Sequence, residues 1–414
     1  MSTLIEAIHE IRDFAGKPCA VMGDIMLDRY IGGEVHRISP DAPIPVVRVD
    51  DITEKPGGAA NVAENIAALG IKPVLLGVAG EDEEGRKLRE RFGDTVILDA
   101  DHITTLKTTV VAMGGHNHRQ KIVRLDREKY KPVAPKHIEQ MIASVPADCS
   151  FLIVQDYAKG LLTHDNIHLI MRLAAERGLR LVANPKIVRD TSASEYAQCH
   201  CLKLNRFELS TIVGCSADDI VTPKGFALAD EFRKNLSLEA LVVTCDRHGA
   251  LLASDEEAPE LMRTRKRDIH DVVGAGDTFM AMLTIAALAG TPWRAAAELA
   301  TAAATLKVEK FGTATVTLDE VAASLAARDG SAKVITADAL PALRQRYHDR
   351  SIVFTNGCFD VFHAGHAHLL TEAKAFGDKL VVGVNSDQSI TALKGPSRPV
   401  MPQEARLKVL ASME

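Results

Sequence analysis

The sequence predicts an α/β protein: a doubly wound, largely parallel sheet with a small β flap, followed by a shorter strand-turn-helix unit. Three observations predict it. Short apolar runs alternate with amphipathic helical stretches through most of the chain, the pattern of crossover units. The runs CAVMGDIML, LRLVAN, CLKLN and ALVVTCD are almost continuously apolar, as strands covered on both faces must be. Finally, the strand, glycine turn, helix order begins afresh at SIVFTNGCFDVFHAGH after a shift in composition.

At 414 residues, with 46% hydrophobic and 25% charged residues, the chain is long enough for two or three globular domains and is not disordered. Lys plus Arg at 49 against Asp plus Glu at 55 gives a net charge of −6. No global basic field recruits nucleic acid or anionic membrane, so any phosphate site must be local. A single Trp argues against a stacking surface for single strands. Seven scattered cysteines without a C-x-x-C spacing predict neither a disulfide framework nor a zinc ribbon, and suit a reducing cytoplasm. The opening MSTLIEAIHEIRDFAGK mixes acids and bases, so no export signal is expected. The most apolar stretch, Phe279 to Ala289, is too short to cross a bilayer.

Along the chain, PVLLGVAG (73–80) reads as a strand before the helix EDEEGRKLRERF, and FLIVQDYA (151–158) as one before a helix from Thr163 to Arg177. Residues 30–50 are Pro-rich and alternating, which predicts the separate flap. Gly80 to Lys87 mimics a phosphate-binding loop, but its four acids would repel phosphate, so an acidic turn and helix start is expected. Past Gly312 come a charged, Ala-rich helix (Leu318 to Arg328), the turn Asp329-Gly330-Ser331 and an amphipathic stretch to His348. The expected division is 1–313, a linker with packing helices over 314–350, and 351–414.

The chemistry concentrates in a few loops. In Asp271-Val-Val-Gly274-Ala275-Gly276-Asp277, the glycines let backbone amides close on an anion, and a helix start adds unpaired N–H groups. Asp277 beside such a pocket can take the proton of an attacking hydroxyl, worth about 10²- to 10⁴-fold. Taken alone, the loop is equally an Asp-capped glycine turn. The third glycine of a dinucleotide fingerprint is missing, since Phe279 stands there. Near the N-terminus, Asp24 and Asp28 sit at a strand end, and Gly57-Gly58-Ala59-Ala60-Asn61 opens a helix. Carboxylates and an amide converging there suit the vicinal hydroxyls of a polyol, although Asp24 alone is also a turn residue. Asn205-Arg206-Phe207-Glu208 either orients magnesium-bound water or starts a solvated helix.

Taken in this order, Gly57-Gly58 with Asn61, Asn205-x-x-Glu208 and Gly274-Ala275-Gly276-Asp277 resemble the ribokinase-like carbohydrate kinases over residues 10–312. The resemblance implies a ribokinase-like doubly wound sheet, ATP at the strand ends, Asp277 as base and the amides of 274–276 as anion hole. It implies further that Asn205, Arg206, Phe207 and Glu208 serve the nucleotide, with Asn205 and Glu208 reaching Mg2+ through water. Thr244 and Gly249 would lie along the nucleotide, and Asp24, Asp28, Gly57, Gly58 and Asn61 against the sugar. The segments 37–47, 124–128, 155–160 and 184–186 look most similar to heptose 7-phosphate kinases. Arg37, Arg124, Lys159 and Lys186 would then be cations for the sugar's existing phosphate, each being on its own an ordinary surface charge. Two positions depart from the family pattern: Asn184 where Asp is usual, and Thr301 where Asn is usual.

In the second unit His363-Ala364-Gly365-His366 places two imidazoles at a helix start after a glycine turn, where they can bind triphosphate oxygens. Metal binding with His368, or simple capping, are the other readings. With Val384-Asn-Ser-Asp387, Lys394-Gly395 and Arg398-Pro399, the segment resembles the cytidylyltransferase-like nucleotidyltransferases, a truncated Rossmann-like unit. That resemblance assigns His363 and His366 to nucleotide phosphates and transition state, and Lys394 to phosphate. Residues 351–414 correspond to about half of that domain and are not expected to complete a catalytic site.

Both halves together resemble bacterial bifunctional enzymes of the ADP-heptose route to lipopolysaccharide core. The implied reactions are phosphorylation of D-glycero-β-D-manno-heptose 7-phosphate at the anomeric hydroxyl and adenylyl transfer to heptose 1-phosphate. ATP and Mg2+ are the implied cofactors, a phosphosugar the partner, and a homodimer the implied assembly. A kinase for another sugar or nucleoside, or a non-catalytic binding protein, are the competing readings. The second of these predicts loss of Asp277 or its glycines, which are present.

Overall fold

The computed structural model describes residues 2–113, 119–186, 192–264, 271–312, 314–329 and 333–413. Thr313, Gly330 and Ser331, at the expected boundary and turn, lie outside them. The chain forms two compact units, Met1–Val321 and Ala322–Glu414.

The strands of the first unit are, in chain order, β1 (Pro18–Gly23), β2 (Ile25–Ile38), β3 (Pro45–Gly58), β4 (Lys72–Gly80), β5 (Val96–Asp99), β6 (Thr105–Met113), β7 (Arg119–Arg127), β8 (Phe151–Gln155), β9 (Arg180–Asn184), β10 (Cys201–Asn205), β11 (Ala240–Thr244), β12 (Ala250–Ser254) and β13 (Glu260–Met262). Among the described residues nine of them form the main sheet in the order β13-β12-β11-β10-β9-β8-β1-β4-β5. Pairing is parallel from β5 to β11, and at the other edge β12 alone is reversed, pairing antiparallel with both β11 and β13. The central strands are buried along their length, which is why they read as unbroken apolar runs.

One such run does not continue as a single strand. CAVMGDIML breaks at Asp24: β1 ends at Gly23 in the main sheet, and β2 leaves it for the flap. The flap is also larger than residues 30–50 suggest. It is a four-stranded sheet, β3-β2-β6-β7, in which β2 pairs with β3 antiparallel and with β6 parallel. Two of its strands, the inner β6 and the edge strand β7, come from beyond that segment, and β6 alternates buried and half-exposed residues as a half-solvated sheet does.

Register places the chemistry at one edge. Gly23 is opposite Gln155 and Gln155 opposite Asn184, while Asn205 is opposite Thr244. The carboxyl ends of β1, β8, β9, β10 and β11 therefore open on one side, and β1 lies where the strand order reverses. In open α/β sheets that crevice is where ligands bind. The helices Ala59–Ala68 and Ala275–Leu288 start on this side, and from Asp277 to Leu288 the second is buried all round. That central packing is the reason its sequence is apolar without amphipathic periodicity. No described helix is long and apolar enough to cross a membrane.

In the second unit the strands β14 (Ile352–Gly357) and β15 (Lys379–Val384) pair in parallel, with the helix Ala364–Ala375 between them in sequence. Between the kinase-like and nucleotidyltransferase-like segments lie the helices Leu318–Asp329 and Leu340–Arg346.

Candidate active site

The helix Ala275–Leu288 begins at Gly274, whose φ of +79° is left-handed and is adopted at low cost only by glycine. This turn sets Asp277 in the first turn of the helix, and the Ala275 N–H donates back to the Val272 carbonyl at 3.3 Å. Asp277 is 7% exposed. Its Oδ2 accepts from the Asn61 side-chain amide at 2.6 Å, and its Oδ1 from the Tyr157 hydroxyl at 2.6 Å. Burial pushes its carboxyl above the ordinary range, while Tyr157, Asn61, Lys203 and Lys107 pull it back. A buried carboxylate held by two donors at a glycine-started helix can act as a base toward a hydroxyl.

Lys203, on β10, supplies the positive charge. A side chain added at Gly276 would stand 3.4 Å from its Nζ, which places the ammonium directly beside the loop. Lys203 is 7% exposed, and its ammonium donates to the Asn184 side-chain oxygen at 3.3 Å. Burial lowers its pKa, against the pull of Glu208 and Asp277. A desolvated cation under a row of helix amides fits a phosphate.

Asn61 is positioned by Gly58, which starts its helix with φ of +61°; a side chain at 58 would meet the Asp24 carbonyl at 2.4 Å. Asn65 donates to the Asn61 carbonyl at 2.8 Å and accepts from the Thr278 hydroxyl at 2.7 Å, tying both helix starts together. Gly57 lies against Asp28, where a side chain would meet Oδ2 at 2.8 Å. Burial pushes Asp28 up to about 6, with Lys107 opposing.

Asp24 corrects one expectation. Its carboxylate accepts from the backbone N–H of Tyr157 and Lys159, each at 2.9 Å, and of Leu161 at 3.2 Å. Buried and enclosed by three amides, it anchors the 156–161 loop and is not presented to a polyol. The four expected phosphate cations are not gathered as free charges either. Arg124 is forked onto Asp126, Lys159 pairs with Glu128 at 2.7 Å and Lys186 with Glu208 at 3.2 Å, while Arg37 lies exposed on β2. Of these, Arg124 is near enough to Asp28 for each to bias the other's charge.

On the other side of Lys203, Asn205 and Glu208 form a reciprocal capping box. Asn205 Oδ1 accepts the Glu208 N–H at 2.9 Å, and Glu208 Oε2 accepts the Asn205 N–H at 2.8 Å. The pair thus has a structural task in addition to any metal role. Arg206 bridges Asp246 and Asp218 and stacks on the exposed Phe207 at 4.6 Å. Thr244 ends β11, and Gly249, φ +105°, passes so close to Met262 that no side chain fits. Of the two departures, Asn184 accepts from both Gln155 and Lys203, and Thr301 is buried in its helix and bonded to the Ala297 carbonyl. Among the described residues no three His, Cys, Asp or Glu gather closely enough to hold a metal ion alone.

In the second unit His363 caps its helix, its Nδ1 accepting from the Gly365 N–H at 3.1 Å, and stacks on His366 at 4.0 Å. Burial lowers the His366 pKa, and the charges of His363 and Lys394 add to the effect. Sequence reasoning missed Lys203, Tyr157 and Lys107. A lysine inside an apolar strand was the legible signal for Lys203. Tyr157 lay in the 155–160 segment without being singled out, and Lys107 carried no local signal, because its neighbours in the site are distant in sequence.

Comparison with known proteins bears on this geometry. The pfkB family carbohydrate kinase profile matches residues 17–320, and the cytidylyltransferase-like profile residues 354–414. Bifunctional protein HldE of Proteus mirabilis is 39% identical over 413 residues, which cover 97% of this chain and 84% of that one. Its counterpart in Coxiella burnetii strain RSA 493 is 40% identical over 398 residues, 95% of this chain and 82% of that one. Among solved structures, Arabidopsis thaliana ribokinase complexed with ribose and ATP superposes with a TM-score of 0.57 at 19% identity, covering 75% of this chain and 99% of its own. Escherichia coli phosphofructokinase-2 in complex with potassium gives 0.60 at 18%, covering 75% and 98%. At those identities the structures establish the fold.

Proposed function

The chain belongs to the pfkB family of carbohydrate kinases, in the group of bifunctional HldE proteins, and from that premise we propose that its first unit phosphorylates D-glycero-β-D-manno-heptose 7-phosphate at the anomeric hydroxyl. The protein is a carbohydrate kinase and a nucleotidyltransferase. The observation that carries the kinase reading is the buried Asp277 at the glycine-started helix, with the Lys203 ammonium against Gly276. Asp277 takes the anomeric proton as the sugar oxygen attacks. The bond from the γ-phosphorus to its bridging oxygen breaks, and ADP leaves. The amides of Gly274, Ala275 and Gly276 and the Lys203 ammonium hold the charge on the migrating group.

ATP lies along Asn205, Arg206, Phe207, Glu208, Thr244 and Gly249 in this reading. Mg2+, when bound, neutralises phosphate charge. The donor set fits a magnesium held mainly by phosphate oxygens and water, with Asn205 and Glu208 touching its water shell. Asp28, Gly57, Gly58 and Asn61 line the sugar side, with Asp24 behind them as an anchor. For the 7-phosphate, Arg124 and Lys159 are favoured over the exposed Arg37, and both must exchange their present acid partners for it. In the second unit His363, His366 and Lys394 face the nucleotide phosphates. The unpaired state of all seven cysteines supports a reducing cytoplasm. A homodimer is proposed through the flap sheet, which exposes Ile38, Ile52, Val123 and Leu125.

The test is a coupled assay with heptose 7-phosphate, ATP and magnesium, run beside an unphosphorylated hexose and adenosine. Selective turnover of the phosphosugar is expected; equal turnover of the others would overturn the substrate. In Asp277→Asn, turnover is expected to fall by about 10²-fold or more with ATP affinity within a few-fold. Near-normal turnover there would remove the base.

A further inference from the structure

Tyr157 lies in the 155–160 segment, of which the sequence marked only Lys159 for the site, and its hydroxyl donates to Asp277 Oδ1 at 2.6 Å across 120 residues of sequence. The loop that carries it is held unusually firmly. Asp24 accepts from the amides of Tyr157, Lys159 and Leu161, and Asp156 from those of Ala158 and Lys186 at 2.7 and 3.1 Å. Between them Ala158 adopts φ of +55°, a left-handed conformation that a non-glycine residue keeps only when its surroundings impose it. Two buried acids and a strained residue thus fix the phenol in place. Burial, and then the charge of Asp277, push the phenol's pKa well up, so it stays a donor at any working pH.

We propose that Tyr157 is a positioning residue of the kinase reaction, whose phenolic O–H holds the Asp277 carboxylate as an aimed anion ready to accept the substrate's proton. The inference rests on Asp277 being the base. Each carboxylate oxygen has a second lone pair, so a substrate hydroxyl can approach while Tyr157 and Asn61 keep their bonds. The other groups around Asp277 act on the same charge. Lys203 from β10, Lys107 from β6 and Lys307 from the helix Trp293–Val308 favour the anion, and Asp28 from β2 opposes it. Tyr157 and Asn61 alone bond to the carboxylate among these, and of the two only Tyr157 approaches from the sheet's loop side.

The experiment is the pH profile of kcat/KM for the wild type, Tyr157→Phe and Asp277→Asn. The base works when ionised, so losing a donor to it moves the acidic limb to higher pH. In Tyr157→Phe that shift is expected to be about one to two pH units. Above the limb the rate recovers to within about threefold of wild type, because a hydrogen bond that only tunes the charge costs little once the carboxylate is ionised. A singly fluorinated tyrosine at 157, a stronger donor of nearly the same shape, moves the limb the opposite way. This second variant decides the matter if Tyr157→Phe folds poorly. A limb that stays at the wild-type position in both variants overturns the proposal, whether or not the plateau falls. If Asp277→Asn keeps its turnover, the base reading fails first, and that outcome is seen independently of residue 157.

Discussion

Lys203 is a charge placed where burial penalises it, and among the described residues no carboxylate lies within ion-pair distance. Such a group is retained at a cost to stability, which makes it a candidate for function. Replacing it by methionine keeps the volume of the stem and removes the cation. Lys203→Met is expected to cut kcat by about 10²- to 10³-fold, the loss typical of one donor to developing charge. Its melting temperature is expected to equal or exceed that of the wild type, because an unpaired buried charge has gone. Steady-state kinetics beside a thermal melt checks this, and a collapsed melt with normal kinetics would assign Lys203 to structure.

At the level of elements, the loop after β8 is the joint between the sheet and the site, and its clamp is made of acids. Burial, then the nearby charge of Asp24, push Asp156 up to about 7 from an ordinary 3.8. The folded protein therefore holds a proton there that the unfolded chain has released. Stability is expected to fall as pH rises through that window and to level off above it. Asp156→Asn removes this proton exchange, so its unfolding midpoint should decline less between pH 4 and 7 than the wild type's, with Asp24 leaving a residual slope. Denaturant unfolding at several pH values measures it; parallel curves for the two proteins would show that Asp156 does not titrate on folding. Helix starts at Gly58 and Gly274 do comparable work on the opposite wall. Both were readable, because only glycine serves a left-handed turn that brings backbone close to other backbone.

Across the whole molecule the two units differ in how well their sheets are covered. The main sheet is enclosed by helices, whereas β14 alternates exposed and half-buried residues, and Phe354 and Phe376 are 66% and 80% exposed. The alternation of apolar runs with helices, the glycine loops and the imidazole pair determined the fold class and the two chemistries and singled out Asp277 as the candidate base, because each depends on residues adjacent in the chain. The tertiary structure alone decided that Asp24 is an anchor, that Asn205 and Glu208 also cap a helix, and that Lys203, Lys107 and Tyr157 surround Asp277. Those roles arise where strand ends far apart in sequence are brought together by a parallel sheet, and no local pattern encodes which side chains meet there.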